Sequence, residues 1–324
     1  MSDDSLSFWV TAPGSGEIRR QPLAAPSKDE LIVQALFSGV SRGTELLVFK
    51  GNVPPSEYTR MRAPLQEGDF PAPVKYGYCM VGRVIHGPAE YQGRDVFCLH
   101  PHQDRFVLPQ SAVTPIPSDV PAARAILAAN METALNGLWD AGVLPGDRIA
   151  VVGAGSVGCL VAWLAARIPG CDVELIDINA HRATIASALG VSFAFPDAAR
   201  GEADVVIHAS GTQEGLALSL RLAAYEATVI ELSWYGDRLV SLSLGEVFHS
   251  RRLILKSSQV GAVAQARRSR RTLKSRLQLA LSLLNDAAPD DLINSESNFL
   301  DLPRTMQQLA SAPSDTIMHR VRYD

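Results

Sequence analysis

The segment 148–168, RIAVVGAGSVGCLVAWLAARI, decides how this chain is read. It opens on an apolar, β-rich run, turns at Gly153-Ala154-Gly155, and continues past Gly158 as a nearly uncharged stretch. Eighteen uncharged residues separate Arg148 from Arg167, close to the minimum for a membrane helix. Three glycines in the first half argue instead for a buried strand, a tight turn and a buried helix. In that context the G-x-G-x-x-G spacing has a mechanical meaning. Gly153 would permit the turn, Gly155 would let the backbone approach a diphosphate, and Gly158 would let helix and strand pack closely. Amides at the helix start, around Ser156 and Val157, would then face phosphate charge.

Asp177 ends the next β-like run, 19 residues after Gly158, where an acid would bond the adenosine ribose. A carboxylate there repels a 2′-phosphate, so NAD(H) is favoured over NADP(H). Arg182, five residues on, argues the other way, because it could reach a phosphate. Ser210, ending the run ADVVIHAS, is a further candidate cofactor contact. The alternative for Asp177 is a solvated turn residue, and for the glycines a purely structural turn.

Outward from this segment, strands and helices alternate through DVELIDI, AHRATIASALG, ADVVIHAS, EGLALSLRLAA and ATVIELSW. That alternation predicts an α/β domain, a doubly wound parallel sheet covered by helices. LKSSQVG adds a strand, and SRRTLKSRLQLALSLLND reads as one long amphipathic helix. Upstream, AARAILAANMETALNGLWDAG spaces its apolar residues for a helix. The first 118 or so residues are strand-rich, with 51–73 expected as a surface loop. FLDLPRTMQQLASA reads as a helix opened by Asp301 and TIMHRVRY as a closing strand, a tail expected to return to the N-terminal domain.

Length and composition agree with this division. A chain of 324 residues suits two domains, and 47% hydrophobic with 20% charged residues is globular. A net charge of −4 gives no pull toward nucleic acid or anionic membrane. The start, MSDDSLSFWV, has acids where a signal peptide would have bases, so a cytoplasmic protein is expected. Cys79, Cys98, Cys159 and Cys171 form no CxxC pair and are expected to be reduced and structural.

AGVLPGDRIAVVGAGSVG, LIDINAHRATIASALG, ADVVIHASG and DDLINSESNFLDLPRTMQQLA together resemble the medium-chain dehydrogenase/reductase family, which includes the zinc alcohol dehydrogenases. The resemblance runs almost end to end. It implies a β-rich, GroES-like catalytic domain over 1–120, completed by 288–324, and a Rossmann domain over 121–287, with the cofactor in the cleft. It also implies a homodimer. SGVSRGTELLVFKGNVP is similar to a segment of the bacteriochlorophyll-pathway hydroxyethyl dehydrogenase, which hints at a secondary alcohol and ketone on a bulky, cyclic substrate, and the basic run at 267–276 would suit an anionic one.

The resemblance breaks at zinc. The family's three ligand positions fall on Ser41 or Arg42, on Tyr78 and near Ala129, and the four-cysteine structural lobe is missing. Zinc requires about four soft or borderline ligands, so no zinc is expected at the usual site. Tyr78, in a former ligand place, is the first candidate to polarise or protonate a substrate oxygen; the alternative is a tyrosine packing the vacated cavity. Glu132 is a candidate acid or base, or else an ion-pair partner. Glu45 is expected to pair with an arginine. His100 and His102, on a loop beside Cys98 and Asp104, offer substrate contact, simple exposure or a relocated metal site, with His102 the candidate ring or carboxylate contact. Arg267, Arg268, Arg270, Arg271, Lys274 and Arg276 are either an anion site or a solvated face.

The expected activity is a zinc-free NAD(P)-dependent oxidoreductase interconverting small alcohols and carbonyls, or reducing an activated double bond. Two alternatives stand beside it: a zinc enzyme with a relocated metal, and a non-catalytic dinucleotide sensor or scaffold.

Overall fold

The computed structural model describes residues 4–311 and 315–323. The chain divides into two compact units. One takes in Met1–Ala129, Leu281–Ala287 and Ile293–Asp324; the other comprises Asn130–Ala280 and Ala288–Leu292.

The second unit is built on six parallel strands in the order Ser192–Ala194, Asp172–Ile176, Arg148–Val152, Ala203–His208, Ala223–Glu231, Ile254–Ser257. Its central strands are continuous apolar runs because both faces are covered. Ile149, Ala150, Val151 and Val152 are all buried, as are Val173, Leu175 and Ile176. Each Val or Ile buried this way contributes roughly 1.5–3 kcal/mol. The uncharged stretch beyond the glycines is the ten-residue helix Ser156–Ala165, packed around Cys159, Leu160, Val161 and Trp163. Among the described residues no helix is long and apolar enough to cross a membrane.

The first unit is β-rich. Its long strand Glu30–Ser41 pairs antiparallel with Met80–His86, with Arg105–Pro109 and with the tail strand Met318–Arg322. A second sheet of four strands is centred on Asp4–Ala12, which pairs with Ser15–Pro22 and Val74–Lys75. Here burial alternates along the strands, as in Leu31, Val33 and Ala35, because one face meets the core and the other does not.

Three expected elements differ. The span 122–142 is two helices, Ala122–Ala125 and Ala128–Ala141. The long amphipathic helix of 269–286 is shorter, Leu273–Ser282 followed by a 3-10 turn at Leu283–Asn285. Thr272 and Ser275 fix its start by exchanging hydrogen bonds, Thr272 Oγ1 accepting from the Ser275 amide at 3.1 Å and Ser275 Oγ from the Thr272 amide at 2.9 Å. The arginines upstream therefore lie before the helix, and Lys274 falls in its first turn. Residues 51–73 are not wholly a surface loop, since Val53, Ala63 and Phe70 are buried and Glu67–Gly68 pairs with Val74–Lys75.

Candidate functional site

In the second unit the glycine turn follows the strand Arg148–Val152, whose neighbours are Asp172–Ile176 on one side and Ala203–His208 on the other. Strand order reverses between Arg148–Val152 and Ala203–His208, and open α/β sheets bind ligands at the carboxyl ends beside such a point. Gly153 has φ +107°, and a Cβ there would stand 2.5 Å from the Ser210 amide nitrogen. A Cβ on Gly158 would stand 1.8 Å from the Gly153 carbonyl oxygen. The fold itself demands both glycines. Gly155 is different: a Cβ there would meet nothing of this chain within 4 Å. Its backbone edge is open, which fits an approaching diphosphate better than any need of the fold.

Asp177 turns its carboxylate toward this turn. Oδ2 accepts from the Ala154 amide at 2.6 Å and Oδ1 from the Asn179 amide at 2.9 Å. Each carboxylate oxygen keeps acceptor capacity for a hydroxyl. Arg182, by contrast, is buried, and its charge acts on the Cys159 thiol inside the unit. Ser156 is buried at the helix start and Val157 half-buried. Ser210 Oγ lies 2.6 Å from His208 Nε2 and 2.9 Å from Thr212 Oγ1. This serine belongs to a polar group, with His208, Glu231, Ser233 and Tyr235, that sequence reasoning missed. Its only local signal was a histidine and a glutamate ending two consecutive apolar strands.

In the first unit Tyr78 and Ser41 belong to a hydrogen-bonded cluster with Glu45, His102 and Ser38. Tyr78 is half-buried and bonds Ser41. Burial, followed by the nearby Cys79 and Glu45, pushes its phenol well above the usual range, so it is held as a neutral donor. Ser41 heads the helix Arg42–Phe49, and its amide donates to Glu45 Oε1 at 2.8 Å, much as in a capping box. Glu45 Oε2 lies 2.8 Å from His102 Nε2, and His102 Nδ1 lies 2.7 Å from Ser38 Oγ. A carboxylate only accepts, so Nε2 carries the proton and neutral Nδ1 accepts from Ser38. Tyr323 OH lies 2.9 Å further along the chain from Ser38 Oγ.

Several expectations change here. Glu45 pairs with His102 rather than an arginine. His102 is almost wholly buried, with both ring nitrogens engaged within this cluster. His100 is not exposed either. It stacks on Phe106 with centroids 3.8 Å apart, its Nδ1 meets the Pro101 carbonyl at 2.9 Å, and burial lowers its pKa to about 3. Among the described residues, no group of three or more His, Cys, Asp or Glu is arranged to hold a metal. Glu132, within the second unit, is taken up by Arg276, whose Nε lies 3.0 Å from Oε1. Burial raises the Glu132 carboxyl while Arg276 opposes the rise. Arg276 also meets the Ala262 carbonyl at 3.0 Å and the Val260 carbonyl. It is a buried tie, while Arg267, Arg268, Arg270, Arg271 and Lys274 are exposed.

A solved structure from Sinorhizobium meliloti 1021, bound to NADP, superposes with a TM-score of 0.80 at 17% identity, covering 99% of this chain and 100% of that one. An alcohol dehydrogenase of Escherichia coli CFT073 complexed with NADH gives 0.78 at 14%, covering 99% and 100%. The chain shares the fold of these dehydrogenases. By sequence, D-guloside 3-dehydrogenase of Escherichia coli K12 is 23% identical over 269 residues, 74% of this chain and 77% of the relative. Residues 149–216 match the family of ketopantoate reductase PanE/ApbA, which covers the glycine turn, Asp177 and Ser210.

Proposed function

We propose that this medium-chain dehydrogenase/reductase is a nicotinamide-dependent oxidoreductase that interconverts a small alcohol and its carbonyl without catalytic zinc. The observation that supports the cofactor most is the turn at 153–158, with its open edge at Gly155 and Asp177 drawn against Ala154. When bound, the nicotinamide exchanges hydride with the substrate carbon. Ser156, Val157 and the neighbouring amides would meet the diphosphate, and Asp177 the ribose hydroxyls, with Ser210 nearby. A carboxylate at that position, and an arginine turned inward, favour NAD(H) over NADP(H).

Tyr78 supplies the chemistry that zinc supplies elsewhere. Its neutral phenol donates to the developing charge on the substrate oxygen, and Ser41 holds the ring's hydroxyl in place. Glu45 and His102 fix Ser41 from behind. The exposed edge strand Ile254–Ser257, with Ile254 and Leu255 uncovered, supports a homodimer formed along that edge. Light scattering checks the dimer.

Titration with NADH and NADPH tests the cofactor, and the expected result is tighter NADH binding. A carbonyl panel then compares wild type with Tyr78→Phe, for which turnover should fall about 100-fold or more. Unchanged turnover removes Tyr78 from the mechanism, and stoichiometric zinc by elemental analysis overturns the metal-free reading.

A further inference from the structure

His208 ends the strand Ala203–His208 with its side chain wholly buried, and Glu231 ends the adjacent strand Ala223–Glu231. Their side chains meet at 2.8 and 2.9 Å, His208 Nδ1 facing both carboxylate oxygens. The carboxylate can only accept, so Nδ1 carries the proton, and in the neutral ring Nε2 accepts from Ser210. Glu231 also accepts from the Ser233 amide at 2.6 Å and from Tyr235 OH at 2.9 Å. Burial and the Glu231 charge raise the Tyr235 phenol, which keeps it neutral. Glu231 is the one acidic side chain of the group. Arg238, on the exposed loop beyond, places its guanidinium 5.9 Å from the Tyr235 ring centre and donates to the Gly211 carbonyl at 2.8 Å. It is the opposing charge.

The position of this group gives it a purpose. Asp177 lies on one side of the point where strand order reverses, and His208 and Glu231 lie on the other. A dinucleotide spans such a point, so the half that Asp177 does not hold falls to the strands that end in His208 and Glu231. Three donors converge there on a single carboxylate, more than a surface glutamate needs.

We infer that Glu231, oriented by His208, Ser233 and Tyr235, biases this site toward the oxidised nicotinamide, whose ring carries a positive charge that the reduced ring lacks. This deepens the proposed function and rests on its cofactor reading. Glu231 acts as a specificity-determining group for redox state rather than for substrate, and Arg238 moderates it.

Dissociation constants for ADP-ribose, NAD+ and NADH, measured by calorimetry, test the inference without turnover. In Glu231→Gln the ratio of the NAD+ constant to the NADH constant should rise roughly five- to tenfold, while ADP-ribose binding stays within about twofold. Arg238→Gln, on an exposed side chain, should move the ratio the opposite way by about twofold. Tyr235→Phe removes a hydrogen bond but no charge and should leave the ratio where it was. An unchanged ratio in Glu231→Gln, with ADP-ribose still bound, overturns the inference and leaves the cofactor reading intact. Should that variant fail to fold, an Arg238→Gln ratio that is unchanged or moves the other way overturns it equally. A wild-type protein that does not bind ADP-ribose overturns the cofactor reading itself.

Discussion

The two units each contain a chain of glutamate, histidine and serine with nearly the same spacings. In the first, Glu45, His102 and Ser38 meet at 2.8 and 2.7 Å; in the second, Glu231, His208 and Ser210 meet at 2.8 and 2.6 Å. The tautomers are mirror images. Glu45 fixes the proton on Nε2 of its histidine, whereas Glu231 fixes it on Nδ1. The environments differ more than the bonds do. Glu45 is 3% exposed, and its serine leads on to Tyr323. Glu231 is 13% exposed, and its serine stands beside the glycine turn. The same three residue types therefore make a buried brace in one unit and a partly open charged group in the other. What decides between them is which end reaches the surface.

Removing the histidine from each is the sharpest way to break this comparison. His102→Ala leaves a buried carboxylate with the Ser41 amide for company, and should cost about 3–5 kcal/mol in urea unfolding. His208→Ala should cost less, about 1–3 kcal/mol, because Glu231 keeps Ser233, Tyr235 and some water. Equal losses would mean that burial does not distinguish the two groups.

The glycine turn gives a second, smaller contrast within one motif. Gly158→Ala drives a methyl against the Gly153 carbonyl at 1.8 Å, for an expected loss of about 1–3 kcal/mol with a lower melting temperature. Gly155→Ala meets no protein atom, so stability should stay within about 0.5 kcal/mol while NADH affinity drops. If Gly155→Ala binds NADH normally, the open edge is not where a diphosphate sits.

The second unit's sheet was legible because its rules are local. IAVV, VELI and VVIH are runs buried on both faces, and the glycines sit where strand must turn into helix. The doubly wound sheet followed from these stretches, while the GroES-like domain was implied only by the family resemblance. The polar clusters were not legible, because their partners are distant in sequence. Glu45 and His102 are 57 residues apart and Glu132 and Arg276 are 144 apart, so no periodicity connects them. Charge alone suggested an arginine for Glu45, but the strand pairing of the first unit brings a histidine there instead. Arg276 looked like one of six similar cations, yet it lies within the helix and is buried, while the four upstream arginines precede the helix and Lys274 is exposed. The length of its helix was misjudged because Thr272 and Ser275 were not read as a cap.

Acid should also separate the two units, and the reason lies in histidines that belong to neither chain of bonds. His100 and His319, both in the first unit, are buried without a carboxylate bonded to the ring. Burial lowers His100 to about 3 and His319 to about 4. His319 has Ser295 and Ser297 on its two nitrogens at 2.9 Å, and Glu296 pulls weakly the other way. Both folded values lie below the unfolded value of about 6.5, so between those limits the unfolded chain binds more protons than the folded one. Stability is then full above about pH 6.5 and declines as pH falls, by up to about 1.4 kcal/mol per pH unit for each histidine, levelling off below the folded values. Hydrogen exchange followed by peptide should show the first unit losing protection before the second between about pH 6 and 4. His100→Gln should flatten that loss. Simultaneous loss in both units, unaltered by His100→Gln, would place the acid-sensitive groups elsewhere, in the carboxylates the two units share as a class.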